Sequence, residues 1–355
     1  MKVLVIDVAA ESGGAKSILL EFYNYLKNSC CDDIEWTFVL SKPLFSSNRN
    51  INVEVYSEIK KNWLYRLKFD CYTVGKLAKK YNADIVLNMQ NTCAIWCKSP
   101  QYVYVHQPIP FQKVKKFSFA KKEERIYAVY QYIIGTFIKM SIKKASKVFV
   151  QTKWMYREVC KITDSEKIYI LPPDIFIEKT NKKMNISFSS FFYPASPSIY
   201  KNHECIVKAV TELNQEGITD FDVTFTLQEG SIQKNNIVCV GAIPHEQIFD
   251  FYREKIMVFP SYIETFGMPL AEARLSKGII FAADTEFSRE ILNGYENAYF
   301  FDPFSPEELK KLMHHAINGE MQYIEPKNDS QTVHNSWEEL VECIKSETKK
   351  CQYTK

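Results

Sequence analysis

The stretch from Ser261 to Gly278, SYIETFGMPLAEARLSKG, constrains the fold of this chain more than any other. It follows KIMVFP, an apolar run short enough to be a buried strand. Pro269 then suits the first turn of a helix, where a missing N–H does no harm. A strand therefore ends in a tight turn at a helix N-terminus, as in α/β folds. Gly267 lets the turn backbone approach a ligand, and the N–H groups of Met268 and the first helical turn, which helix geometry leaves unpaired, make an anion site with phosphate as the expected guest. Two carboxylates flank it, Glu264 in the turn and Glu272 inside the helix, with seven residues between them. Carboxylates bind phosphate poorly but accept hydrogen bonds from sugar hydroxyls well.

The set Pro260, Ser261, Glu264, Phe266, Gly267, Pro269, Glu272 and Ala273, closed by Gly278, resembles the signature of the family 4 retaining glycosyltransferases. A plain helix start needs none of Ser261, Phe266 or Gly267. Those enzymes have the GT-B fold and use nucleotide-diphosphate sugars. The resemblance implies an α/β chain of two Rossmann-like domains facing each other across a cleft. Residues 1–180 would form an N-terminal, acceptor-side domain, residues 181–325 a C-terminal nucleotide-sugar domain, and residues 326–355 a helix crossing back to the first. It also implies that Glu264 orients sugar hydroxyls, that Glu272 binds the ribose hydroxyls, and that Thr265, Phe266, Gly267 and Met268 line the donor site.

Composition agrees. At 355 residues, 46% hydrophobic and 25% charged, the chain can bury the cores of two ordinary domains. Forty-five basic against 42 acidic residues leave only +3, too even for a dedicated nucleic-acid binder. Ten cysteines, with Cys30 beside Cys31 and Cys93 separated from Cys97 by three residues, fit neither a disulfide framework nor a zinc ribbon and read as reduced core thiols. MKVLVIDVAA has no charged leader with a cleavage site, and no apolar run is long enough to span a bilayer, so a cytosolic location is expected.

The first half reads as alternating strands and helices. KVLVIDVA is a buried strand, and past Gly13 and Gly14 a helix carries Ile18, Leu19, Phe22 and Leu26 at helical spacing. A dinucleotide-binding loop would want G-x-G-x-x-G, which the adjacent glycines do not supply, so a dehydrogenase is disfavoured. Strands at IEWTFVL, NVEVYS, ADIVLNM and QYVYVHQP, with the helix RLKFDCYTVGKLAKKYN among them, imply a mostly parallel sheet that binds ligands at its carboxyl edge. His106 falls at that edge. A lone histidine is more often structural, and a glycine pair often serves a turn only. The resemblance assigns both more: YVHQPIP matches the family's histidine that reaches the donor sugar and phosphate from the opposite domain, and Gly13 and Gly14 stand where a glycine loop admits the acceptor and donor phosphates.

From Phe111 to Lys147 the chain holds ten basic residues and only Glu123 and Glu124, a balance of ten minus two, or +8. Ile126, Tyr130, Ile133, Phe137 and Ile138 recur at spacings expected to line one helical face, behind Phe111, Phe117 and Phe119. Such a helix can lie on an anionic membrane surface. It can equally pack on a core and expose a solvated basic face.

Beyond LPPD, the polar EKTNKKMN reads as a linker, and ISFSSFFYPA opens the second domain. A helix follows from near Asn202 with Ile206, Val207, Val210 and Leu213 inward. Lys201 precedes it, where the helix dipole does not favour a cation. The resemblance makes Lys201 the family's diphosphate lysine, and Ser196 stands where an arginine is usual, leaving the diphosphate one counter-charge fewer. IVCVGAIPHEQIFDFYREKIMVFP reads strand, turn, helix, strand, and the resemblance places the nucleotide base at the turn Gly241, Ala242 and Ile243, held largely by backbone contacts. Glu290 matches a family glutamate. Near the end, Ser336 and Glu339 have the spacing of a capping box.

The resemblance implies a retaining, metal-independent hexosyltransferase without cofactor, in which His106, Lys201 and Glu264 serve the reaction. A nucleotide-diphosphate sugar would be the donor and an oligosaccharide, lipid-linked at the inner face of the plasma membrane, the acceptor in surface-polysaccharide synthesis. A sugar-nucleotide epimerase of the same fold and a catalytically silent binding protein are alternatives.

Overall fold

Near-continuous apolar runs such as Leu4, Val5 and Ile6, all at 0% exposure, belong in parallel sheets covered on both faces. The computed structural model describes residues 1–11, 13–29, 33–60, 63–175, 184–326 and 336–352. They divide into two compact units, Met1–Asp174 with His334–Lys355, and Ile175–Val333. The expected boundary at residues 180 and 181, most of the polar linker, and Cys30 and Cys31 lie outside the described residues.

In the first unit β1 (Lys2–Asp7), β2 (Glu35–Leu40), β3 (Ile51–Val55), β4 (Ile85–Asn88), β5 (Gln101–Val105), β6 (Lys147–Val150) and β7 (Ile168–Ile170) pair in the order β3-β2-β1-β4-β5-β6-β7. All pairings are parallel, with Val5 beside Phe38 and Val105 beside Val150. β6 and β7 are additional to the expected strands, being too short to show a period. Successive β1 side chains serve opposite faces. Val3 and Val5 join Phe22 of helix Gly13–Asn28, Trp36 and Tyr104, whereas Leu4 and Ile6 join Phe69, Val74 and Leu77.

The last helix, Ser336–Gln352, closes the first of these cores with Trp337, Leu340, Val341 and Ile344. The Trp337 ring lies 5.0 Å from that of Phe22 and 6.0 Å from that of Tyr104. Where a capping box with Glu339 was expected, the Ser336 N–H donates instead to Asp174 Oδ1 at 3.4 Å. Burial raises that carboxyl to about 6.

The basic segment departs from expectation. Arg125–Ala128 runs through a π turn, Val129–Ile134, into the helix Gly135–Lys144. A π turn inserts residues without advancing the helical phase normally. The apolar positions split: Ile138, Phe111 and Phe117 are buried, while Phe119, Ile126, Ile133, Phe137 and Met140 are exposed. The charge is also partly consumed. Lys115 pairs with the buried Glu124 at 3.1 Å, Lys121 lies 3.7 Å from the same carboxylate, and Lys113 reaches Glu158 at 3.3 Å. Lys147 is buried at the start of β6.

In the second unit β8 (Ser187–Tyr193), β9 (Asp222–Phe225), β10 (Ile237–Cys239), β11 (Lys255–Phe259), β12 (Ile280–Ala283) and β13 (Ala298–Phe301) pair in parallel in the order β10-β9-β8-β11-β12-β13. Renumbered from its own first strand, this is 3-2-1-4-5-6, the doubly wound order that places a ligand crevice beside strand 1 where the order reverses. Here that point lies between β8 and β11. Helix His203–Gln215 buries Cys205, Ile206, Ala209, Val210 and Leu213, so Cys205 and Ala209 stand inward where Val207 was expected. Among the described residues no helix is long and apolar enough to cross a membrane.

Candidate functional site

The carboxyl ends of β8 and β11 bring the second unit's predicted residues together. After β8 the chain turns through Ile199–Lys201 into Asn202, whose left-handed backbone (φ 60°) starts helix His203–Gln215. The Asn202 amide donates to the carbonyl of Pro260, just past β11, at 3.2 Å and to that of Pro303 at 2.7 Å. This side chain ties the two loops to each other, and nothing in its local sequence announced it.

Lys201 Nζ meets Glu264 Oε1 at 2.5 Å, with both side chains mostly buried. The cation that the helix dipole could not explain is thus answered by the turn carboxylate. Ser261 supports the pair, its Oγ 2.8 Å from Glu264 Oε1 and 3.2 Å from the Tyr200 carbonyl. Beneath them the Tyr193 hydroxyl donates to the Lys201 carbonyl at 2.8 Å. Burial, with Glu264 nearby, raises that phenol well above its ordinary range. Next to Lys201, His203 falls to about 4, chiefly through burial and then through the lysine's charge.

Gly267 precedes helix Met268–Leu275 with φ 93°, a conformation that favours glycine, and a Cβ there would stand 3.3 Å from Leu270. Thr265 and Phe266 are buried in the turn and Met268 is partly exposed. Pro269 has no N–H and that of Leu270 donates to the Gly267 carbonyl at 2.9 Å, so the capacity of this helix end to receive an anion rests on the N–H of Met268. One turn on, Glu272 is only 4% exposed. Its Oε1 lies 2.9 Å from His245 Nε2, and its Oε2 accepts from the Tyr252 hydroxyl at 3.1 Å. Neither His245 nor Tyr252 was singled out by sequence reasoning. Their contact with Glu272 spans 27 and 20 residues, beyond any local pattern.

Gly241 (φ 76°), Ala242 and Ile243 form the turn after β10 that leads to helix His245–Glu254. The Gly241 N–H donates to Leu227 at 2.8 Å. Ser196 is exposed, 3.4 Å from Ser198 through their hydroxyls. Gly278 serves packing: a Cβ there would lie 2.6 Å from the Tyr252 carbonyl, and the Gly278 carbonyl accepts from Tyr295 at 2.7 Å.

The first unit holds the other predicted residues. Gly13, with φ 63°, and Gly14 open helix Gly13–Asn28, and a Cβ on either meets nothing within 4 Å. His106 follows β5, and its N–H donates to Asn91 Oδ1 at 2.7 Å. Burial brings its imidazole down to about 4, so the ring is neutral at physiological pH.

Residues 190–332 match the family Glycosyl transferases group 1. No curated protein matches the chain in sequence. Among solved structures the chain is similar to sucrose-phosphate synthase from Thermosynechococcus elongatus, with 12% identity and a TM-score of 0.66 over 90% of each chain. It is similar to HepE of Anabaena in complex with UDP-glucose, with 13% identity and a TM-score of 0.60 over 90% of each chain. It is also similar to the lipopolysaccharide outer core galactosyltransferase WaaB in its apo form, with 14% identity and a TM-score of 0.58 over 91% of this chain and 92% of that one. At such identities the likeness shows the fold: two Rossmann-like domains of the GT-B type.

Proposed function

We propose that this protein is a retaining, metal-independent hexosyltransferase that moves a sugar from a nucleotide-diphosphate donor to an oligosaccharide acceptor. The observation that carries it is the convergence, at the β8 and β11 ends, of a lysine, a helix N-terminus behind a left-handed glycine, and two carboxylates. The chemical difficulty is departure of a doubly charged diphosphate as the sugar gains oxocarbenium character. Stabilising that leaving group is the largest task. Lys201 and the N–H of Met268 would take the diphosphate, releasing Glu264 to orient sugar hydroxyls, while Glu272 takes the ribose and Gly241, Ala242 and Ile243 the base. His106 would serve the sugar as a neutral imidazole. The UDP-glucose bound by HepE and the galactosyl transfer named for WaaB favour a hexose donor. Acceptor-dependent release of nucleoside diphosphate tests the reading. Isomerised donor without acceptor would make it an epimerase, and binding without turnover a silent protein.

The acceptor is proposed to be lipid-linked, reached from an anionic membrane surface. Ile133, Phe137 and Met140 recur at spacings of four and three and are all exposed. Lys144, four residues further on the same side, donates to the carbonyls of Ala94 (2.8 Å) and Ile95. Trp96, the next residue after Ile95, is 68% exposed. Lys139 and Lys143 are exposed next to the apolar positions, and residues 125–147 contain no acid. Apolar side chains that enter an interface, an indole suited to its polar boundary and flanking lysines together match an anionic bilayer.

A further inference from the structure

Glu272, to which the proposed function gives the donor's ribose, is held from one neighbouring helix by two dissimilar groups. Tyr252, fully buried, engages Oε2 from inside the unit. His245 engages Oε1 from the solvent side: its side chain is 62% exposed, whereas that of Glu272 is 6% exposed. The imidazole leads its helix, two residues after Ile243 of the turn proposed for the base, and rests edge-on against Phe249 at 5.1 Å. A ligand hydroxyl that approaches Glu272 from solvent therefore meets a carboxylate whose rotation is blocked at both oxygens.

We propose that His245 is a positioning residue for the donor's ribose: by holding Oε1 while Tyr252 holds Oε2, it fixes the carboxylate plane so that the remaining lone pair of each oxygen faces the ribose 2′- and 3′-hydroxyls. Each carboxylate oxygen accepts two hydrogen bonds, so the geometry leaves one site on each for the sugar. A carboxylate held in place before binding loses less freedom when the diol arrives. The hydrogen bond to Glu272 keeps the ring's proton on above the ordinary histidine range, Glu246 adding to this and burial opposing it, so the ring stays a donor in the pair. His245 acts through Glu272 and needs no contact with the reacting atoms.

The proposal rests on the reading of the second unit as a nucleotide-sugar site, and the test separates the two. Calorimetry would measure the affinity of UDP, GDP and their 2′,3′-dideoxy analogues for wild type, His245→Ala and His245→Gln, the glutamine amide standing where Nε2 stands. A charge-assisted hydrogen bond corresponds to about tenfold in affinity. His245→Ala should lose about tenfold for the nucleotide that carries its hydroxyls and less than about twofold for the dideoxy analogue. His245→Gln should recover most of that loss. Equal losses for both forms would mean that the ring only packs the turn, and would overturn the role given to His245. Wild type that binds neither UDP nor GDP would overturn the donor-site reading itself.

Discussion

Lys201 and Glu264, 63 residues apart in sequence, meet at 2.5 Å where β8 and β11 end. The pair couples stability to donor binding, because removing the lysine also leaves a mostly buried carboxylate without its cation. Lys201→Met should lower donor turnover by about 10- to 100-fold, the worth of a charge-assisted contact that strengthens in the transition state, and should lower Tm as well. Adding Glu264→Gln should restore Tm and leave turnover low. Turnover near wild type in Lys201→Met would remove the diphosphate assignment.

Gly278 and Gly14 should answer alanine differently. At Gly278 the new Cβ would press on the Tyr252 carbonyl at 2.6 Å, in the helix that also carries His245. Destabilisation of about 1–3 kcal/mol and weaker nucleotide binding are expected. At Gly14 a Cβ meets nothing within 4 Å, so stability should change by less than about 0.5 kcal/mol. Urea titrations of both variants decide the packing claim. Lost activity in a stable Gly14→Ala would mark that glycine as a ligand contact.

Acid should destabilise the fold through His106 and His203, both partly buried. His106 and His203 both sit near 4 in the native state, against about 6.5 in an unfolded chain. The unfolded chain therefore binds more protons between these values. Their contribution to stability is complete above about pH 6.5 and falls as pH drops toward 4, by at most about 1.4 kcal/mol per unit for each ring. His203→Phe, which keeps an aromatic ring beside Tyr193 and Phe225, should show a shallower acid slope than wild type. Identical slopes would contradict the burial argument.

Transfer should persist in excess chelator, since Lys201 and the helix N-terminus supply the positive charge for the leaving diphosphate. Loss of transfer that Mg²⁺ or Mn²⁺ restores would require a different mechanism.

Vesicle binding should need both halves of the proposed membrane surface. Raising salt from 0.1 M to 1 M shortens the screening length from about 10 Å to about 3 Å and should weaken binding steeply. Lys122, Lys139 and Lys143 reversed to Glu, or Ile133, Phe137 and Met140 changed to Ser, should release the protein from anionic vesicles while UDP binding stays intact. Wild type that ignores such vesicles at low salt would leave Met140 and Trp96 as ordinary surface residues.

Patterns within a dozen residues determined much of this protein. The strand, left-handed glycine and proline-started helix around Gly267 are local geometry, as are the buried runs of β1 and β11, so the parallel α/β architecture and the turn of the candidate site were legible from residue types alone. Tertiary structure decided what depends on pairing across distance. The lysines at 113, 115 and 121 looked like free surface charge until Glu124 and Glu158 were placed beside them. Past the π turn at Val129–Ile134, Ile138 lies inward and its apolar neighbours outward. Asp174, and not Glu339, receives the Ser336 N–H of the last helix. His245 and Tyr252 close on Glu272 from a separate helix. A one-dimensional pattern records which face a residue takes within its own element; which partner it meets on another element is set only when the sheets and helices pack.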